Sequence, residues 1–184
     1  MKHSIYILVV VMLAGSALIG CYQKPDVDDQ PAAKQDEQEI PRGKVTRYGL
    51  FHGLDQGWVD SSPHTSTGKI IRGSKVEFAE TASHIPLRKG LYFGYRYWLK
   101  LPPDEHRPKL KRVLIHPVMS LPDGSKAARS ERYITKKATY GIVSSLDVYT
   151  LSDDYELVEG EWVFQLWYKE HKLVEQKFIA YRPG

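Results

Sequence analysis

At 184 residues, 42% apolar and 26% charged, the chain has the length of one domain with appendages and an ordinary globular composition. That excludes a collagen, a coiled coil, a globally disordered chain and a polytopic membrane protein. Its 26 Lys and Arg against 22 Asp and Glu leave a net charge of +4, and its one Cys excludes an intrachain disulfide and a Cys-based zinc site.

The chain opens on a basic start, Lys2 and His3, followed by an uncharged run over 4–20. The run has the length of a secretory signal's apolar core with its flanks. It falls short of the roughly 20 apolar residues a membrane span needs. It ends Leu18-Ile19-Gly20-Cys21, which resembles the bacterial lipoprotein signal, where small residues precede an obligatory Cys. The resemblance implies cleavage before Cys21, with lipid on the thiol and on the new amino terminus. The residue types agree: a thiol gives a stable thioether, and Gly20 lets a peptidase approach the backbone. Two or more acyl chains anchor stably where one anchors marginally. The expectation is therefore a signal peptide over 1–20 and an extracytoplasmic protein held on a membrane through lipid on Cys21. Tyr22 stands where an Asp tends to retain lipoproteins in the inner membrane, so the outer membrane is expected.

Residues 22–43 carry three Pro, six acidic and three basic residues and few large apolar ones, the composition of a disordered, solvated linker. With Cys21 they form an acidic tether over 21–43, reaching roughly 25 Å as a flexible coil. From Lys44 onward 22 basic residues face 16 acidic ones. A basic domain on an acidic tether fits an anionic partner, such as lipid or an anionic polysaccharide, or else only solubility. An exported protein is not expected to bind nucleic acid.

The domain over 44–184 has strand candidates at 44–51, 74–82, 91–101, 109–116, 127–136, 141–151, 160–168 and 173–181. Each is rich in β-branched or aromatic residues and bounded by Gly, Pro, Asp or Ser. No helical period lasts beyond about two turns. Seven or eight short strands with frequent turns predict an all-β, antiparallel sandwich or barrel. In 91–99, Leu91, Phe93, Tyr95, Tyr97 and Leu99 share one face and carry no charge, so they are expected inside. In 160–168 the inward set is Trp162, Phe164, Leu166 and Tyr168, leaving Glu161, Val163, Gln165 and Trp167 outside. Lys169, Glu170, His171 and Lys172 read as a four-residue hairpin loop, and His116 before Pro117 as a strand end.

The domain carries Thr65-Ser66-Thr67-Gly68-Lys69, Ile85-Pro86-Leu87 with Gly90, Phe93-Gly94-Tyr95-Arg96-Tyr97, Leu101-Pro102-Pro103 and His116-Pro117. Further on come Glu156-Leu157-Val158 with Gly160, Trp162, Phe164 and Trp167, then Leu173, Glu175 and Phe178. These pieces resemble a bacterial family known only as domain of unknown function 3859. The closing Gly-x-Trp-x-Phe-x-Leu-Trp strand looks like the last hairpin of many immunoglobulin-like sandwiches. The resemblance implies that fold and export, and it transfers no active site.

Signatures of catalysis are weak. The Gly68-Lys69 pair lacks a Gly at position 63, which is Pro63, so it is no phosphate loop. No Gly-x-Ser-x-Gly elbow exists. His52, His64, His84, His106, His116 and His171 show no metal-ligand spacing. No cofactor, no metal and no enzymatic activity are expected. The candidate binding residues are aromatic. Trp58 lies in a long segment over 51–69, and it either contacts a ligand or pins that segment onto the sandwich. Trp98 and Trp167 face out by parity beside Arg96 and Gln165. They either form one partner-binding patch with Arg96 or lie under the long segment. Basic residues from Lys100 to Arg112 and from Lys126 to Lys137 form a further cluster, which reads as a solvated face. The expected function is an envelope lipoprotein whose non-catalytic sandwich binds or supports an envelope protein or polysaccharide. The alternative is a sugar- or peptidoglycan-binding module, or an envelope enzyme, using the 51–69 segment.

Overall fold

The computed structural model describes residues 40–55 and 57–184. The expected signal peptide, Cys21 and the linker up to residue 39 lie outside the described residues.

Among the described residues eleven strands form in chain order. They are β1 (Arg42–Gly53), β2 (Trp58–Ser61), β3 (Lys69–Arg72), β4 (Val76–Glu80), β5 (His84–Pro86), β6 (Tyr92–Lys100), β7 (Lys109–Ser120), β8 (Lys126–Thr135), β9 (Ile142–Thr150), β10 (Gly160–Tyr168) and β11 (His171–Tyr181). A 3-10 turn at Asp154–Glu156 is the one helical element among the described residues. Strand β1 takes in Arg42 and Gly43, which composition had placed in the linker.

The strands build two packed sheets and a ribbon. One sheet has the order β4-β1-β6-β9, the other β5-β11-β10-β7-β8, and β2 pairs β3 alone. The fold class is as expected from sequence, an all-β sandwich, but the count of seven or eight falls short. The strands beyond it, β2, β3 and β5, have only three or four residues each, too few for alternation to show. The sandwich is also not wholly antiparallel, because β5 runs parallel to β11. Pro86 is tolerated there because β5 is an edge strand.

Two local expectations fail for one reason, a β-bulge. Strand β7 does not end at His116: it continues through Pro117 to Ser120, with a register shift between Ile115 and Met119. The last hairpin closes at Tyr168–His171, so its loop is the two residues Lys169 and Glu170, with Lys169 at a φ of +51°. A register shift at Leu166/Trp167 then absorbs the odd residue, and Leu173 and Val174 are both buried.

Aromatic side chains fill the centre. Phe93, Tyr95, Tyr97 and Leu99 of β6 and Trp162, Phe164 and Leu166 of β10 are fully buried, with Tyr168 close to it, as parity predicts. Leu91 is only half-buried, and Val163, expected outside, is buried on the far side of its sheet. Phe93 is the hub, with edge-on ring contacts to Trp162 at 5.6 Å, Phe164 at 5.7 Å and Phe178 at 5.3 Å. Such pairs each add about 0.5–1.5 kcal/mol beyond area burial.

Candidate functional site

The inner faces change character towards one flank. On β7 the inward parity runs Leu110, Arg112, Leu114, and on β9 it runs Val143, Ser145, Asp147. A guanidinium and a carboxylate therefore meet inside the sandwich. Arg112 Nε donates to both Asp147 oxygens at 2.8 and 2.6 Å, and both residues are buried. Burial works against the Arg112 charge, and Asp147 more than offsets it, so its pKa stays above the ordinary value. The pair bridges the two sheets beside the Phe164 ring, which lies 5.7 Å from the Arg112 guanidinium.

One strand further out the balance fails. Arg132 of β8 stands directly opposite Arg112 in the ladder. Its Nε is buried without a hydrogen-bond partner, and no carboxylate among the described residues forms an ion pair with it. Burial first, and then the Arg112 charge, lower its pKa to about 10. Ser130 is buried on the same strand face.

A cleft opens at this place for a topological reason. Strand β9 is the last strand of its sheet, while the opposing sheet continues to β8. The inner face of β8 has no strand across from it, and the segment 65–74, which carries β3, lies there instead. A cavity of about 150 Å³ separates them. Ser66, Lys69 and Ile71 line one side, Ser130 and Arg132 the other, and Tyr149 and Glu156 also border it. Three side-chain contacts hold the segment down, one of them the Ser74 hydroxyl donating to the Tyr92 hydroxyl at 3.3 Å. Lys69 pairs with Asp153, which raises the lysine's pKa. Ser66 Oγ lies 2.6 Å from His116 Nε2.

His116 is itself fixed. Its ring lies 5.2 Å from that of Trp162, and its Nδ1 is 2.8 Å from the Pro117 carbonyl oxygen. A carbonyl only accepts, so Nδ1 carries a proton and a neutral ring takes the Ser66 hydroxyl proton at Nε2. Burial lowers the His116 pKa, favouring that neutral ring. Chemically the pair is a serine polarised by a base, with a backbone carbonyl where a nucleophilic triad has a carboxylate. Glu156 is occupied otherwise: it accepts from the Tyr149 hydroxyl at 2.7 Å and from the Asp153 amide at 2.8 Å. Burial nonetheless raises its pKa.

The candidates from sequence fall in different places. Trp98 of β6 and Trp167 of β10 belong to opposite sheets, and both face away from the core, so they do not form one patch with Arg96. The 51–69 segment does not cover them either. The Trp98 ring has the Lys44 ammonium at 5.7 Å, and Trp167 has Lys111 at 5.1 Å. Arg96 is exposed on β6. Trp58 sits on β2 and is 61% exposed. It pins nothing to the sandwich end: it covers Gly73, whose φ is +70° and where any Cβ would overlap the indole at 2.1 Å. Gly73 lines the cleft, so Trp58 stands at its rim. The basic cluster is not all solvated face, since Arg112 is buried and Arg132 half-buried.

Sequence reasoning missed Arg112, Asp147, Ser130, Arg132 and the Ser66–His116 pair. The parity argument applied to β6 and β10 would have placed Arg112 and Asp147 inside. Nothing local joins Ser66 to His116, fifty residues apart.

Comparison with known proteins follows the fold. The crystal structure of an immunoglobulin-like protein from Pseudomonas aeruginosa superposes with a TM-score of 0.52 at 21% identity, covering 79% of this chain and 99% of that one. The likeness shows the immunoglobulin-like fold. A DNA-bound alkylpurine DNA glycosylase from Pseudomonas fluorescens overlaps at a TM-score of 0.35 and 12% identity, over 55% of this chain and 28% of that one, too loosely to bear on fold or function. No curated protein matches the chain. Residues 39–179 match the model of the family described as domain of unknown function (DUF3859), and the chain belongs to that family.

Proposed function

We propose that this protein is an envelope lipoprotein, anchored by lipid on Cys21, whose sandwich is a non-catalytic binding module with the cleft under segment 65–74 as its ligand site. The anchor rests on the Leu18-Ile19-Gly20-Cys21 signal, and Tyr22 favours the outer membrane. The binding role rests on one observation, a cavity of about 150 Å³ lined by hydroxyls and an unpaired guanidinium. Concave sites with a few convergent polar groups are the usual places for small ligands. Trp58 at the rim offers an indole face of the kind that stacks on sugars. The partner is an envelope polysaccharide or protein, and nucleic acid is not among the expected ligands.

The test is in intact cells. A photoreactive residue in place of Ile71 is expected to capture envelope material, while the same residue at Trp98 or Trp167 is not. Capture from the outer faces alone would overturn the reading. For the anchor, Cys21→Ser is expected to abolish incorporation of labelled fatty acid, and label on the variant would contradict it.

A second reading has its own support. The 2.6 Å contact of Ser66 with His116 is that of a nucleophile and base, which favours an envelope hydrolase using the same segment. Labelling of Ser66 by a fluorophosphonate, lost in His116→Ala, would establish it.

A further inference from the structure

We propose that the cleft holds the carboxylate of an acidic sugar ring, a uronate unit of an anionic polysaccharide, with Arg132 as the residue that reads the charge. The inference deepens the binding-module reading above and rests on it.

Charge compensation is the first argument. Like charges directly opposite in a ladder destabilise a sheet. Arg112 and Arg132 are such a pair, and Asp147 makes its ion pair with Arg112, its charge reaching Arg132 only from a distance. Arg132 keeps a buried Nε with nothing to donate to. Buried donors are paired in the great majority of cases, and each exception asks for an explanation. The buried Nε is itself closed to a ligand, but Arg132 lines the cavity, and an anion there would balance its charge through the outer N–H groups of the guanidinium, which can match a carboxylate in two bonds at once.

The surroundings narrow the anion. Asp153 is taken by Lys69, and the Glu156 carboxylate is held by Tyr149 and two backbone amides, so neither competes for Arg132. Lys69 in turn is not the anion's partner. The cleft itself offers the Arg132 guanidinium and several hydroxyls, among them Ser66 and Ser130. Half-buried Lys136 adds a second positive charge near Arg132. Several hydroxyl partners around one guanidinium match a sugar acid, and inorganic phosphate is the competing anion that the titration includes. A cavity near 150 Å³ admits a six-membered ring. Ile70 and Ile71 on the covering segment give that ring an apolar side. A chain leaving the cleft passes Trp58.

The experiment is a titration of the ¹⁵N-labelled full chain in detergent with glucuronate, glucose and inorganic phosphate, following the Arg132 Nε–H and Ser130 amide signals. Glucuronate is expected to shift both signals saturably, with Arg132→Gln weakening binding about tenfold or more, and with glucose binding at least about tenfold more weakly. Glucose binding in the cleft as well as glucuronate, unchanged by Arg132→Gln, would overturn the acidic-sugar inference and leave the binding module standing. Phosphate binding through Arg132 in preference to glucuronate would overturn it too. So would glucuronate shifting only signals of the outer faces. No binding by either sugar would overturn both the inference and the reading beneath it. Unchanged positions of the remaining signals in Arg132→Gln establish that the variant is folded.

Discussion

The space between the two sheets is filled in two ways. Its centre is a cluster of rings around Phe93, where Trp162, Phe164 and Phe178 pack edge to face and are fully buried. Its β7–β8 flank holds Arg112 and Asp147 as a bridge, and then Arg132, which has no ion pair among the described residues. The centre contains what a sandwich needs to fold. The flank contains a charge that costs stability, beside an opening that close packing would have filled. A fold that tolerates an expense at one flank and not in its centre marks that flank as the place where function is to be sought.

That contrast is broken first by attacking each region's most buried member. Phe93→Ala is expected to cost about 3–5 kcal/mol, by lost transfer energy and a cavity among rings that cannot all collapse inward. An unchanged denaturation midpoint would mean that Phe93 is not the hub. Asp147→Ala should cost a similar amount, about 3–5 kcal/mol, because it strands the Arg112 charge inside. The double change Arg112→Met with Asp147→Leu is expected to recover most of that loss, which urea unfolding of the three variants would check.

A smaller effect sharpens the comparison through its sign. Arg132→Met should stabilise the ligand-free protein by about 1 kcal/mol or more, since a buried donor without a partner is removed. Almost any other change on an inner face lowers stability.

The weakest expected effect depends on pH. Burial lowers the folded-state pKa of His116 below the ordinary value near 6.5. The folded protein then binds fewer protons here than the unfolded chain does. The stability from this group is fully present above about pH 6.5 and is lost as pH falls below it. Wild type should therefore lose stability relative to His116→Gln between pH 7 and 5. A parallel course of the two pH profiles would show that His116 does not titrate with unfolding.

The centre was legible in the sequence and the flank was not, and the difference is physical. Alternation of Phe93, Tyr95 and Tyr97 with Gly94 and Arg96 announces a buried face, because apolar residues carry their own burial signal. Arg112 and Arg132 carry the opposite signal, and their strands run beside lysines such as Lys109, Lys126 and Lys137 that are indeed exposed. Only the inward parity they share with Leu110, Leu114 and Ser130 places them inside. The cleft itself depends on one sheet ending at β9 while the other continues to β8, and strand order is not written in any local pattern. The expected tryptophan patch failed for the same reason: an assumed neighbourhood of β6 and β10 put two opposite sheets side by side.

The central claim, that Arg132 is kept for a ligand at a cost to the fold, is tested most directly by unfolding wild type and Arg132→Met with and without glucuronate. The account predicts that the variant is the more stable protein without ligand, and that glucuronate stabilises wild type and leaves the variant unmoved. A variant that is less stable than wild type without ligand would make Arg132 a structural residue and contradict the account.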